Sequence, residues 1–229
     1  TRPVTKRDLA HGARPRALLP GERSLRRSRR VGRSGSEWYA RDMSRDAARR
    51  EASYEDLFAL PEHHVGQIVH GTLYANPRPA IPHAVAASEL GSDLGQRFGR
   101  GRGGPGGWLI VDEPELHLGR DVLVPDLAGF RRERMPEAPR APYFDLAPDW
   151  ICEVLSPSTA RLDRGPKREV YAREHVPHLW FVDPDAKTLE VLRLDGTTYR
   201  VVQTFADDAV VRAEPFDAVE LELAFLWVK

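Results

Sequence analysis

The sequence predicts an α/β domain: a mixed central β-sheet flanked by helices, preceded by a disordered basic arm. Three observations carry this. Apolar runs of strand length alternate with segments of helical period. Turn residues punctuate them at His70-Gly71, Asp183-Pro184-Asp185 and Asp195-Gly196. Two of the apolar runs, Asp121 to Phe130 and Asp149 to Leu155, each enclose a carboxylate.

Taken in order, residues 1–50 hold 15 Lys/Arg against 5 Asp/Glu, while the rest of the 229-residue chain holds 19 against 29. The head is strongly basic and the body acidic, so they are different objects. The head lacks apolar periodicity and buries too little surface to offset its ordering entropy. Residues 1–50 are therefore expected to be a disordered extension and 51–229 the folded domain. Met43, just upstream of the first patterned segment, is a candidate natural start that leaves 1–42 as an accessory piece.

Ser53-Tyr54-Glu55-Asp56 reads as a helix start, with Ser53 at the N-cap and Asp56 three residues on. Val65 to Ala75 reads as a hairpin turning at His70-Gly71. Pro82 to Phe98 suits an amphipathic helix with small residues on its packing face. The run Gly99 to Gly107 formally contains G-x-G-x-x-G. Its context is wrong for a dinucleotide, because a helix precedes it and a strand (Trp108 to Val111) follows. It is a helix-to-strand loop whose Arg100 and Arg102 are candidate phosphate contacts.

Asp121 to Phe130 and Trp150 to Leu155 are strand candidates, separated by a Pro-rich excursion from Arg131 to Pro148. A helix is expected from about Thr159 to Glu174, interrupted early by Gly165-Pro166. His178 to Val182, Thr188 to Leu194 and Tyr199 to Phe205 read as strands, and Leu221 to Val228 as a last apolar segment.

At 41% hydrophobic and 30% charged, the composition is that of an ordinary globular protein. No apolar run approaches the roughly 18 residues of a membrane span, and no secretory leader is visible. One cysteine, Cys152, excludes an internal disulfide and fits a reducing cytoplasm. Between Ile151 and Val154 it reads as a core residue. His63-His64 and His175/His178 match no zinc spacing. Trp150, Trp180 and Phe181 read as core aromatics.

A carboxylate inside a strand is costly unless a cation or donors neutralise it. Asp126, in Val124-Pro125-Asp126, and Glu153 are two such groups, and Asp163, Lys167 and Tyr171 share a face of the following helix at i, i+4 spacing. Together they suggest a divalent cation between two strands, as phosphodiester cleavage requires. The residues alone leave a second reading open, in which Lys167 merely pairs with Asp163 on a solvated surface.

Several motifs occur in one order from about Tyr54 to Val191. They are Tyr54-Glu55-Asp56-Leu57, Val65-Gly66-Gln67-Ile68-Val69-His70-Gly71, the Pro77-to-His83 helix entry, Val124-Pro125-Asp126-Leu127, and Pro148-Asp149 with Glu153-Val154-Leu155-Ser156-Pro157-Ser158. Asp163, Lys167, Tyr171, His178-Leu179-Trp180 and Val182-Asp183-Pro184 complete them. In these the chain resembles the Uma2-like restriction-endonuclease family, a branch of the PD-(D/E)xK nuclease superfamily. The resemblance implies a restriction-endonuclease-like core for the α/β domain and metal-dependent DNA cleavage with Mg²⁺, Mn²⁺ substituting. It makes Asp126 and Glu153 the metal ligands and Lys167 the relocated catalytic lysine, since position 155 is Leu. Gln67, His83 and Tyr171 are accessory candidates.

One departure stands out. The family usually carries Glu where this chain has Gln67, which keeps a carbonyl oxygen but loses the charge. Weaker metal affinity is expected, and with it an alternative: a degenerate nuclease fold acting as a nucleic-acid-binding or interaction module. A third reading is hydrolysis of another substrate, for instance RNA, by the same carboxylates. The acidic body repels DNA, so contacts are expected from local patches at Arg100, Arg102, Arg131, Arg132 and Arg134 and from the basic head. A homodimer suits cutting of both strands.

Overall fold

The computed structural model describes residues 50–62, 64–77 and 79–228. The expected disordered arm, Met43 and His63 lie outside the described residues. Among these residues no helix is long and apolar enough to cross a membrane.

The described chain starts as read. Helix α1 (Tyr54–Phe58) begins at Ser53, whose backbone N–H donates to Asp56 Oδ2 at 2.8 Å. Strands β1 (His64–Val69) and β2 (Thr72–Pro77) pair antiparallel. His70 and Gly71 turn between them, both with positive φ (50° and 72°), as a two-residue hairpin turn requires. Helix α2 (Ile81–Leu94) continues into a wider turn, Gly95–Gly99. Its buried stripe is Ala86, Leu90, Leu94 and Phe98, one residue every four.

The main sheet has six strands in the order β10-β9-β8-β7-β6-β3. They are β3 (Trp108–Asp112), β6 (Leu127–Arg131), β7 (Trp150–Val154), β8 (His178–Asp183), β9 (Thr188–Asp195) and β10 (Thr198–Ala206). Only β7 and β8 run parallel, and the helical segment 160–173 makes the crossover between them. That segment consists of α3 (Ala160–Leu162), a wider turn through Pro166 (Asp163–Lys167) and α4 (Arg168–Arg173). A second sheet, β2-β1-β5-β4, adds β4 (Leu116–Leu118) and β5 (Asp121–Leu123).

Alternation along the strands sorts side chains to the two faces of the main sheet. Trp150, Cys152 and Val154 join Leu90, Leu94, Phe98, Trp180 and Phe216 in one core. Ile151 joins Ala128, Phe130, Leu162, Val170, Tyr171, Leu179 and Phe181 in the other. The aromatic residues are core, with Trp150 and Trp180 edge-to-face at 5.2 Å. Cys152 is fully buried.

One expectation needs correction. Asp121 to Phe130 is not one strand: β5 belongs to the smaller sheet and β6 to the larger, and Val124-Pro125-Asp126 crosses between them. Pro125 has no N–H for a ladder, so the chain breaks there. Asp126 therefore sits at a strand entrance rather than inside a strand. The last apolar segment opens on the two-residue strand β12 (Leu221–Glu222), paired antiparallel with β11 (Val210–Val211), and then forms a single 3₁₀ turn, Leu223–Leu226.

Candidate active site

The break at Pro125 places Asp126 one residue before β6, and β6 pairs with β7 so that Leu127 faces Cys152. Extending that register by one residue sets Asp126 opposite Glu153. Both side chains leave the sheet on the face shared by Ala128 and Ile151, toward the helical segment 160–173.

Asp126 Oδ2 accepts the backbone N–H of Val154 at 2.6 Å, and Oδ1 lies 3.2 Å from His83 Nε2. Glu153 Oε1 accepts the Tyr171 hydroxyl at 2.5 Å and lies 2.7 Å from Lys167 Nζ. Lys167 also reaches Asp163 Oδ1 at 3.1 Å and the Val124 carbonyl at 3.5 Å. The i, i+4 face read from the sequence thus points inward: Asp163, Lys167 and Glu153 are all buried. A solvated surface pair is excluded for Lys167, whose side chain is 2% exposed.

Three carboxylates face one ammonium, and the titration of the group reflects it. Burial pushes Glu153 up to about 8; the Lys167 ammonium opposes the shift, and Asp163 and Asp126 add to it. Burial disfavours the charged form of Lys167, but Glu153, Asp163 and Asp126 more than compensate and keep it protonated. Burial would lower His83, yet its bond to Asp126 and the nearby carboxylates leave it raised. Burial raises the Tyr171 phenol and the Cys152 thiol, with the neighbouring carboxylates adding to both, so Cys152 is no nucleophile.

These groups open on a cavity of about 320 Å³. Asp126, Glu153, Asp163, Lys167, His83 and Gln67 line it, so the structure gathers most of the sequence candidates; Tyr171 stands behind Glu153. Gln67 Oε1 accepts the Val124 N–H at 2.9 Å, which occupies one of the two lone pairs of the carbonyl that the sequence offered as a metal ligand.

The arginines are elsewhere. Trp108 pairs with Arg131 at one end of β3 and β6, while Asp112 pairs with Leu127 at the other, beside Asp126. Arg131 stacks on Trp108 at 4.5 Å, and Arg132 N–H binds the Gly107 carbonyl. Arg131 and Arg132 thus lie roughly 15 Å from the carboxylates, a five-residue strand away, while Arg100 and Arg102 lie in the loop after α2, their backbone N–H groups bonded to the Gly95 and Gln96 carbonyls.

Other cavity residues went unread in the sequence: Glu113, Asn76, Ser156, Ser158 and Thr159. Ser156 Oγ lies 3.0 Å from both the Ser158 and Thr159 hydroxyls. Glu113 has a left-handed backbone (φ 45°) and donates its N–H to the Asp126 carbonyl at 3.0 Å. Its only sequence signal was its position just past a strand.

Among the described residues no three His, Cys, Asp or Glu side chains enclose a metal site. That excludes an all-protein cage there but suits Mg²⁺, which binds through one or two carboxylates and keeps several waters. Both donors to Glu153 converge on Oε1, leaving Oε2 without a protein donor among the described residues. The donor set fits a hard divalent ion.

Residues 54–225 match the family Uma2, described as "Putative restriction endonuclease". Among solved structures, the crystal structure of a "putative nuclease belonging to DUF820" from Anabaena variabilis ATCC 29413 matches with a TM-score of 0.62 at 24% identity. The match covers 76% of this chain and 97% of that one, and shows a shared fold. No curated protein matches.

Proposed function

The chain belongs to the Uma2 family, and from that premise we propose that its cavity hydrolyses DNA phosphodiester bonds with a hard divalent cation, Mg²⁺ or Mn²⁺. Asp126 and Glu153 would hold the cation. When bound, it supplies charge for the scissile phosphate and lowers the pKa of a water.

The protein's own part is positioning. The Val154 N–H holds Asp126, and Tyr171 and Lys167 hold Glu153 by one oxygen so that the other faces the cavity. Lys167 offsets one of the three carboxylates and provides a fixed positive charge for the developing phosphorane. Water adds across the bond: its oxygen joins phosphorus, the bond to the leaving sugar oxygen breaks, and that oxygen leaves protonated.

The observation that carries this reading is the juxtaposition of Asp126 and Glu153 across β6 and β7, with a buried ammonium beside them. Supercoiled plasmid incubated with Mn²⁺, Mg²⁺ or EDTA tests it. Metal-dependent nicking that disappears in both Asp126→Ala and Glu153→Ala is expected. The missing negative charge at Gln67 favours a second reading, a nucleic-acid-binding or interaction module without turnover. Binding without nicking, indifferent to both substitutions, would select it. Parallel incubations with single-stranded RNA decide between substrates, and sedimentation of the protein on DNA tests the dimer.

A further inference from the structure

We propose that Gln67 is a substrate contact: its side-chain amide donates to a phosphate oxygen of the nucleic acid, and it is not a ligand of the cation. The inference rests on the nuclease reading of the same cavity and names a group that grips the substrate there.

Gln67 lies on β1 and lines the cavity together with Val65, two residues away on the same face, and Asn76, which pairs with Val65 across the hairpin. The residue is only 4% exposed. A backbone N–H can be met only by the carbonyl end of an amide. The 2.9 Å bond from Val124 N therefore fixes which way the group points. The other end, Nε2, carries two N–H donors and binds no acceptor among the described residues. Nor is it sealed in: Gln67 Nε2 is not among the fully buried side-chain nitrogens and oxygens that lack a hydrogen bond among the described residues. The free donors therefore open on the cavity.

A second feature of the same wall suits an anion. Pro79, Ala80 and His83 bring the start of the 14-residue helix α2 to the cavity. Its N-cap, Ala80, has no side-chain oxygen, and its first turn contains no acidic residue, so its leading amides lack a side-chain cap. Uncapped amides and a neutral amide donor favour a phosphate oxygen, in a cavity whose other wall is carboxylate. A Glu at position 67 would present an acceptor instead and would repel the same phosphate.

Gln67→Glu isolates the claim. It is isosteric and keeps an oxygen for Val124 N–H, but replaces the free donors by a charged acceptor. Gln67→Met removes the donors without adding charge, and with them the acceptor of Val124 N–H, so its folding is checked alongside. Duplex affinity is measured with a fluorescein-labelled oligonucleotide in EDTA at low salt, Mn²⁺ affinity by calorimetry without DNA, and folding by thermal unfolding. Both variants are expected to bind duplex about tenfold more weakly, with Mn²⁺ affinity as in the wild type. If either folded variant binds duplex as the wild type does, the inference is overturned. It is also overturned if Gln67→Glu gains Mn²⁺ affinity while Gln67→Met loses it. A wild-type protein that binds no duplex, single strand or RNA contradicts the nuclease reading itself, a different outcome from wild-type binding that the variants leave intact.

Discussion

The N–H of Val154, the residue after Glu153, donates to Asp126 Oδ2 at 2.6 Å. This bond ties the entrance of β6 to the end of β7 and fixes the spacing of the two carboxylates. It also continues the ladder where Pro125 could not.

Lys167 is the charge on which the buried cluster depends. Lys167→Met leaves Glu153 and Asp163 facing each other without a cation, and breaking a buried pair in this way costs about 3–5 kcal/mol. Urea unfolding in EDTA should show a loss of that order. A loss below about 1 kcal/mol would mean that the carboxylates simply take up protons.

Tyr171 holds Glu153 through one buried bond. Tyr171→Phe deletes only the hydroxyl, at an expected cost of about 1–2 kcal/mol. Nicking should slow while single-turnover saturation by DNA is unchanged, because the group orients a ligand and does not reach the substrate. A variant with the wild-type rate would remove Tyr171 from the site.

Glu153 gives stability a pH dependence. Its folded pKa, about 8, lies above the ordinary carboxylate value of 4.5, so the native state keeps a proton that the unfolded chain releases. The contribution is complete below the unfolded value and is lost as pH rises to about 8. His83, also raised, acts with the same sign. Unfolding in EDTA across this window should show stability falling with pH, and a shallower fall in Glu153→Gln. An identical slope in that variant would contradict the assignment.

Much of this site was legible in the sequence. Carboxylates inside apolar runs flagged Asp126 and Glu153, and helical spacing joined Asp163, Lys167 and Tyr171 before any geometry was known. What the sequence concealed depended on tertiary register. Nothing local to Asp121–Phe130 announced that the chain changes sheets at Pro125. Nor did sequence show that Arg131 lies a strand's length from Asp126, at the opposite end of β6. Glu113 entered the cavity through a left-handed backbone that Glu seldom signals.

Gly91 tests the packing that brings α2 to the site. A Cβ there would lie 2.7 Å from Asp112 Oδ1 and 3.0 Å from Leu127 Cδ2. Gly91→Ala turns the exposed Asp112 carboxylate aside and presses on the buried Leu127 beside Asp126, and a destabilisation of about 1 kcal/mol is expected in spite of alanine's better helix propensity. An increase in Tm would show that the helix seat has slack.

The most direct measurement is anomalous diffraction from crystals soaked in Mn²⁺. The account predicts one peak in the cavity within coordinating distance of both the Asp126 and Glu153 carboxylates, absent from Asp126→Ala crystals. A cavity without a peak in fully soaked crystals, or a peak held by other residues, would contradict it.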